Sequence, residues 1–103
     1  MVLIANITRR EFDLLRIVGS NYISWNLAVK LHLNARNLSK TIEANNNAPN
    51  DNKARALIFI NYHLDDGLKN EYLTIEDPHE LWFSMKERFK HLKIVYLPKA
   101  SND

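Results

Sequence analysis

Apolar residues recur at helical spacing over most of this chain. Between residues 21 and 38, Tyr22, Trp25, Val29 and Leu33 share one face of a 3.6-residue period, and Leu27, Leu31 and Leu38 add a second stripe. A helix apolar round so much of its circumference is expected to be covered by more than one neighbour. Ser20 or Asn21 can cap it, or Ser24 if it starts later. Residues 39–50 hold Asn45-Asn46-Asn47 and Pro49, which are turn formers and predict a loop. A further helix is expected over 51–64. Its start is polar and its middle, Ala56-Leu57-Ile58-Phe59-Ile60, is apolar all round, so it reads as the most buried helix. A strand is the competing assignment for those five residues.

Asp65-Asp66-Gly67 is expected to end or kink that helix, and residues 68–73 to form a short one carrying Leu68, Tyr72 and Leu73. Asp77-Pro78-His79-Glu80 is a strong helix start. The aspartate can cap free N–H groups, the proline has its φ preset, and the glutamate can complete a capping box. From there to about residue 91, Trp82, Met85, Phe89 and Leu92 keep the period, while Lys86, Arg88, Lys90 and Lys93 crowd the C-terminal half, where cations suit the helix dipole. Ile94, Val95, Tyr96 and Leu97 read as extended, stopped by Pro98. Residues 7–18 are ambiguous. Thr8-Arg9-Arg10-Glu11 could cap a short helix carrying Phe12, Leu14 and Leu15, or the segment could be an extended arm across the core. The pattern therefore predicts an all-α fold, a small bundle of four to five helices in one domain: an arm or short helix to residue 20, a helical core over 21–92 and an extended tail over 93–103. Its core is expected around Tyr22, Trp25, Val29, Leu57, Ile58, Leu64, Tyr72, Trp82 and Phe89.

Composition narrows the function. The 103 residues are 46% apolar and 25% charged, with two Gly and three Pro, an ordinary globular mixture. The absence of Cys removes disulfides, thiol nucleophiles and zinc knuckles together. Met1 to Ala5 is too short for a signal-peptide core, and the apolar run 56–60 is too short to cross a membrane. The sequons at Asn6 and Asn37 carry little weight without a secretory signal, and a cytoplasmic protein is expected. Net charge is +2 but unevenly placed. Residues 1–40 carry six basic and two acidic groups, 41–80 three and eight, 81–103 five and two. Basic ends flank an acidic middle. The plain reading is solvated helix faces; the sharper one is charge-complementary contact between copies, or attraction of the ends to nucleic acid.

No catalytic pattern appears. There is no glycine-rich phosphate loop, and His32, His63, His79 and His91 lack metal-ligand spacing. None of the serines stands in a nucleophile elbow. Asp65-Asp66, at a helix end, reads as solvated. The expectation is no enzyme, no cofactor, no metal, no small-molecule substrate and no membrane partner.

Read in order, the chain carries Gly19-Ser20-Asn21-Tyr22 with Trp25, His32-Leu33-Asn34-Ala35, Lys53-Ala54-Arg55-Ala56-Leu57-Ile58-Phe59-Ile60, and His63-Leu64-Asp65-Asp66-Gly67-Leu68-Lys69. It continues with Glu71-Tyr72-Leu73-Thr74, Asp77-Pro78 with Glu80-Leu81-Trp82, Lys86-Glu87-Arg88-Phe89 and Leu97-Pro98-Lys99-Ala100. Over residues 12–100 this series resembles the Gag protein of copia-type LTR retrotransposons, especially plant members. The resemblance implies the amino-terminal part of a capsid region: a helical, self-associating domain that helps build an RNA-packaging particle. Family members continue with further helices and often a zinc knuckle, so a chain ending at Asp103 is expected to be truncated. Asn61, where the family has a basic residue, and Leu15-Arg16, where an acidic one commonly follows the Leu, fit a degenerate or co-opted fragment.

The expected function is structural: self-association, or association with full-length Gag, through apolar helix surface that missing downstream helices would cover. Ile94, Val95, Tyr96 and Leu97 are the first candidate surface. The alternatives are weak, non-specific RNA contact through Arg9, Arg10, Lys90 and Lys93, and a co-opted host adaptor recruiting a partner through the acidic middle.

Overall fold

The computed structural model describes the backbone of residues 11–102 and the side chains of residues 11–92. Among the described residues four α-helices follow one another: α1 (Tyr22–Ala35), α2 (Asn50–Tyr62), α3 (Asp66–Glu71) and α4 (Pro78–Asn102), with a 3-10 turn (Ser39–Ile42) between the first two. The fold is all-α. Its described residues form no strand, only an isolated parallel bridge between Leu15 and Leu64.

The predicted face of α1 is the buried one: Tyr22, Trp25, Val29 and Leu33 all lie in the core. The second stripe does not pack. Leu27 and Leu31 are 62% and 68% exposed, because each lies about 200° round the helix from the buried residue two positions before it. The helix also stops short of residue 38. Asn37 turns to φ 59. The Leu38 and Asn37 N–H groups donate back to the Leu33 and Asn34 carbonyls at 2.8 and 3.1 Å. That paired closure is a Schellman motif, with asparagine where glycine is usual. Leu38 itself is buried one residue later, and the Thr41 hydroxyl donates to its carbonyl at 2.6 Å inside the core. The loop expected over 39–50 thus opens with a helical turn.

At the other end of α1, Asn21 occupies the cap position without capping. Its amide accepts from Arg16 N–H at 3.0 Å and donates to the Leu14 carbonyl at 2.7 Å. The side chain ties down the preceding segment instead. That segment, residues 11–20, is not helical. It crosses the core as the arm alternative required, with Leu15 wholly buried. Leu15 N–H donates to the His63 carbonyl at 2.8 Å, and Asp65 N–H to the Leu15 carbonyl at 3.0 Å. Thr8, Arg9 and Arg10 lie outside the described residues.

In α2 the core positions are Ala56 and Ile60. Leu57 and Phe59 are partly buried against the cluster, whereas Ile58 is 69% exposed. Placing Ile58 in the core was therefore wrong, and so was the reading of this helix as the most buried, since α1 buries four side chains and α2 two. A run that is apolar all round does not say which side meets a neighbour. Nor does Asp65-Asp66-Gly67 terminate α2, which has already ended at Tyr62. Asp65 caps α3, its carboxylate accepting from Gly67 N–H at 2.8 Å. Leu68 is buried; Tyr72 packs partly against the core; Leu73 is 74% exposed.

The last helix packs against α2, the 3-10 turn and α1, and buries Leu81, Trp82, Met85 and Phe89. Trp82 stacks on Trp25 with ring centroids 5.7 Å apart, and Phe89 meets Tyr22 at 5.3 Å. Among the described residues no side-chain hydrogen bond closes the expected capping box at Asp77 and Glu80; the first turn is marked by Leu81 N–H donating to the Asp77 carbonyl at 3.0 Å. The extended path expected for Ile94, Val95, Tyr96 and Leu97 is replaced by helix through to Asn102. Residues 86–97 hold no glycine, proline or turn former to stop it. Pro98 removes one backbone donor, and the helix passes it.

Candidate functional site

Two arrangements of side chains stand out. The first fastens the arm. Glu11 places one carboxylate oxygen 3.0 Å from His32 Nδ1 and the other against the Arg36 guanidinium. Arg36 lies over the Phe59 ring, 4.6 Å from its centroid, and donates to the His32 carbonyl at 3.1 Å. Phe12 stacks on the His63 ring at 4.2 Å and 14°. His63 is buried, with Nδ1 2.9 Å from the Phe59 carbonyl, so Nδ1 carries the ring proton and Nε2 accepts from Glu11 N–H at 3.2 Å. Its own carbonyl takes two donors, Leu15 N–H and the Trp25 indole N–H, each at 2.8 Å. The cluster joins arm, α1 and the end of α2. These contacts suit a fastening of the arm onto α1 and α2.

The second is a groove of about 200 Å³ between α1 and α4. Tyr22 and Trp82 form its floor, Ile23 and Leu27 one wall, and Lys30 and Lys86 its rim; among the described residues no acidic one lines it. Trp82 and Lys30 are shared with a neighbouring crease bounded by Ser39, Ile42 and Glu43. Asn26 reaches across the wall to donate to the Tyr22 hydroxyl at 3.1 Å. Burial pushes the Tyr22 phenol above its ordinary pKa, and that hydrogen bond offsets part of the rise.

A third concavity, in the asparagine-rich loop, is occupied with its own folding. Asn46 donates to the Glu43 and Thr41 carbonyls at 2.7 and 3.3 Å and accepts from Ala48 N–H at 3.0 Å.

Among the described residues no three His, Asp or Glu gather where they could hold a metal ion. Among the described residues no buried side-chain nitrogen or oxygen is left without a partner, so no orphaned polar atom there marks a ligand pocket. Among the described residues no helix is long and apolar enough to cross a membrane.

The sequence-derived site residues are only partly brought together. The side chains of Ile94, Val95, Tyr96, Leu97 and Lys93 lie outside the described residues, as do Arg9 and Arg10. Lys90 is exposed and pairs with Glu87 at 3.1 Å. Tyr22, Trp25, Trp82 and Phe89 pack in one core cluster with Val29 and Leu64. The groove was missed. Lys30 carries no signal along the chain and Lys86 reads there only as one of the cations of its helix; the packing of α1 on α4 puts both beside one groove. No protein-family model, curated protein or solved structure matches this chain.

Proposed function

We propose that this chain is a structural, capsid-like Gag module of a copia-type retroelement, acting by association with copies of itself or with a longer Gag chain. The series of sequence words supports the family, and the all-α fold is in keeping with the helical domain that the resemblance implies. The observation that carries the association reading is the outer face of α1. Leu27 and Leu31, one turn apart, are 62% and 68% exposed beside a groove floored by Trp82. Covering a few hundred Å² of such surface at about 25 cal/mol per Å² is sufficient for weak association.

Sedimentation velocity over a concentration series tests this. The sedimentation coefficient should rise with concentration, and Leu27→Lys/Leu31→Lys should hold the chain as a monomer. A parent chain that stays monomeric at high micromolar concentration refutes the proposal.

A further inference from the structure

The groove between α1 and α4 has a counterpart elsewhere on the same molecule. The turn after α3 presents Leu73 at its tip, 74% exposed. Glu71, Glu76 and Asp77 surround it in sequence. Glu71 is paired with Arg88, and Lys69 lies 3.6 Å from Asp66, so Glu76 and Asp77 leave the turn acidic. The groove is its complement in polarity and charge: it is lined by apolar Ile23 and Leu27, aromatic Tyr22 and Trp82, and basic Lys30 and Lys86.

The two features face apart. Arg88, which accepts the α3 turn through Glu71 and a 3.1 Å hydrogen bond to the Tyr72 hydroxyl, stands two residues after Lys86. At 100° per residue the two cations leave α4 about 160° apart. One flank of that helix carries the leucine knob, the other the basic groove, so a single molecule cannot satisfy both within itself.

We infer that the groove receives the Leu73 turn of a second copy, with Lys30 and Lys86 meeting Glu76 and Asp77. This deepens the association reading above and rests on it. Because knob and groove are different surfaces on opposite flanks, the contact is head-to-tail and repeats from copy to copy, giving rings or chains where a two-fold contact would stop at a dimer.

The test uses two variants changed only at exposed positions. Lys30→Glu/Lys86→Glu spoils the groove and keeps the knob; Leu73→Asp spoils the knob and keeps the groove. Circular dichroism should show both folded. In sedimentation velocity the parent should form species beyond a dimer. Each variant alone should associate at least about tenfold more weakly, the scale of unburying one leucine at an interface. An equimolar mixture should recover one contact and give a 1:1 dimer that grows no further. If the parent associates but the mixture behaves as its separate components, or either variant associates like the parent, this inference is overturned and the broader reading survives. If the parent is monomeric, both fall, and the groove belongs to an acidic segment of another protein or to nothing.

Discussion

Replacing Gly19 with alanine should be among the most damaging small changes possible in this chain. Gly19 stands at φ +77, the left-handed region, with its N–H bonded to the Arg16 carbonyl at 2.8 Å and its carbonyl accepting from Tyr22 N–H at 3.0 Å. The backbone there is held from both sides and cannot relax to negative φ without releasing the start of α1. An L-residue in that region costs about 1–2 kcal/mol. A Cβ would also lie against the Phe89 ring, 2.5 Å from Cε1, and 2.8 Å from a Leu92 methyl. Phe89 is 2% exposed and can yield only by disturbing its contact with Tyr22. Overpacking of that kind costs roughly 1–3 kcal/mol. Together Gly19→Ala should lose roughly 2–5 kcal/mol, a large share of a small domain's total, and lower Tm by roughly 10–30 °C. Thermal and urea unfolding followed by circular dichroism would measure it. In a Phe89→Leu background the overlap is relieved, so the same substitution should cost about 1–2 kcal/mol less, a coupling read directly from a double-mutant cycle. A Gly19→Ala chain within 0.5 kcal/mol of the parent would refute both the backbone and the packing arguments. The glycine that opens the Gly19-Ser20-Asn21-Tyr22 word thus has a physical reason to be there.

Trp25→Phe removes the indole N–H that donates to the His63 carbonyl, but leaves that carbonyl its bond from Leu15. One net buried hydrogen bond and part of the Trp82 stacking are lost, roughly 1–3 kcal/mol in all. The urea midpoint should fall at unchanged slope, and a shift below 0.5 kcal/mol would show that the indole bond does not hold α1 to the end of α2. Tyr22 should make the fold sensitive to alkali. Its folded pKa lies above the ordinary 10.0 because the phenol is buried, so the unfolded chain loses this proton first. Its contribution is therefore full below about pH 10 and is lost as pH rises through the higher folded value; a Tyr22→Phe chain should lack that part of the alkaline decline in urea midpoint, and an identical decline would rule the phenol out.

Much of the helical plan was legible along the chain, and the reason is local. A period of 3.6 states which residues share a side, so the face Tyr22, Trp25, Val29, Leu33 and the run Trp82, Met85, Phe89 could be read without any neighbour in view. Proline at position 78 acts over one turn, so the start of α4 was legible for the same cause, even though the capping box at Asp77 is not formed; the start of α3 was not, since Asp65 reads along the chain as the end of α2 and in the fold caps α3. The resemblance added an ordering of words, which no local rule supplies.

What the tertiary structure decided is which of several apolar sides is covered. In the run 56–60 every residue suited burial, yet Ala56 and Ile60 went inside and Ile58 outside, because α4 and the 3-10 turn pack on α2 and leave the side that carries Ile58 uncovered. Asn21 looked like a cap and became a tie for the arm, since Leu14 and Arg16 came within reach of its amide. His63 carried no signal along the chain, and its burial depends on Phe12 and Glu11 arriving from fifty residues away. The groove is of the same kind: Lys30 and Lys86 belong to helices that meet only after folding. Periodicity is a property of one segment, whereas burial and the making of a site belong to pairs of segments, and no segment by itself encodes where its partner will stand.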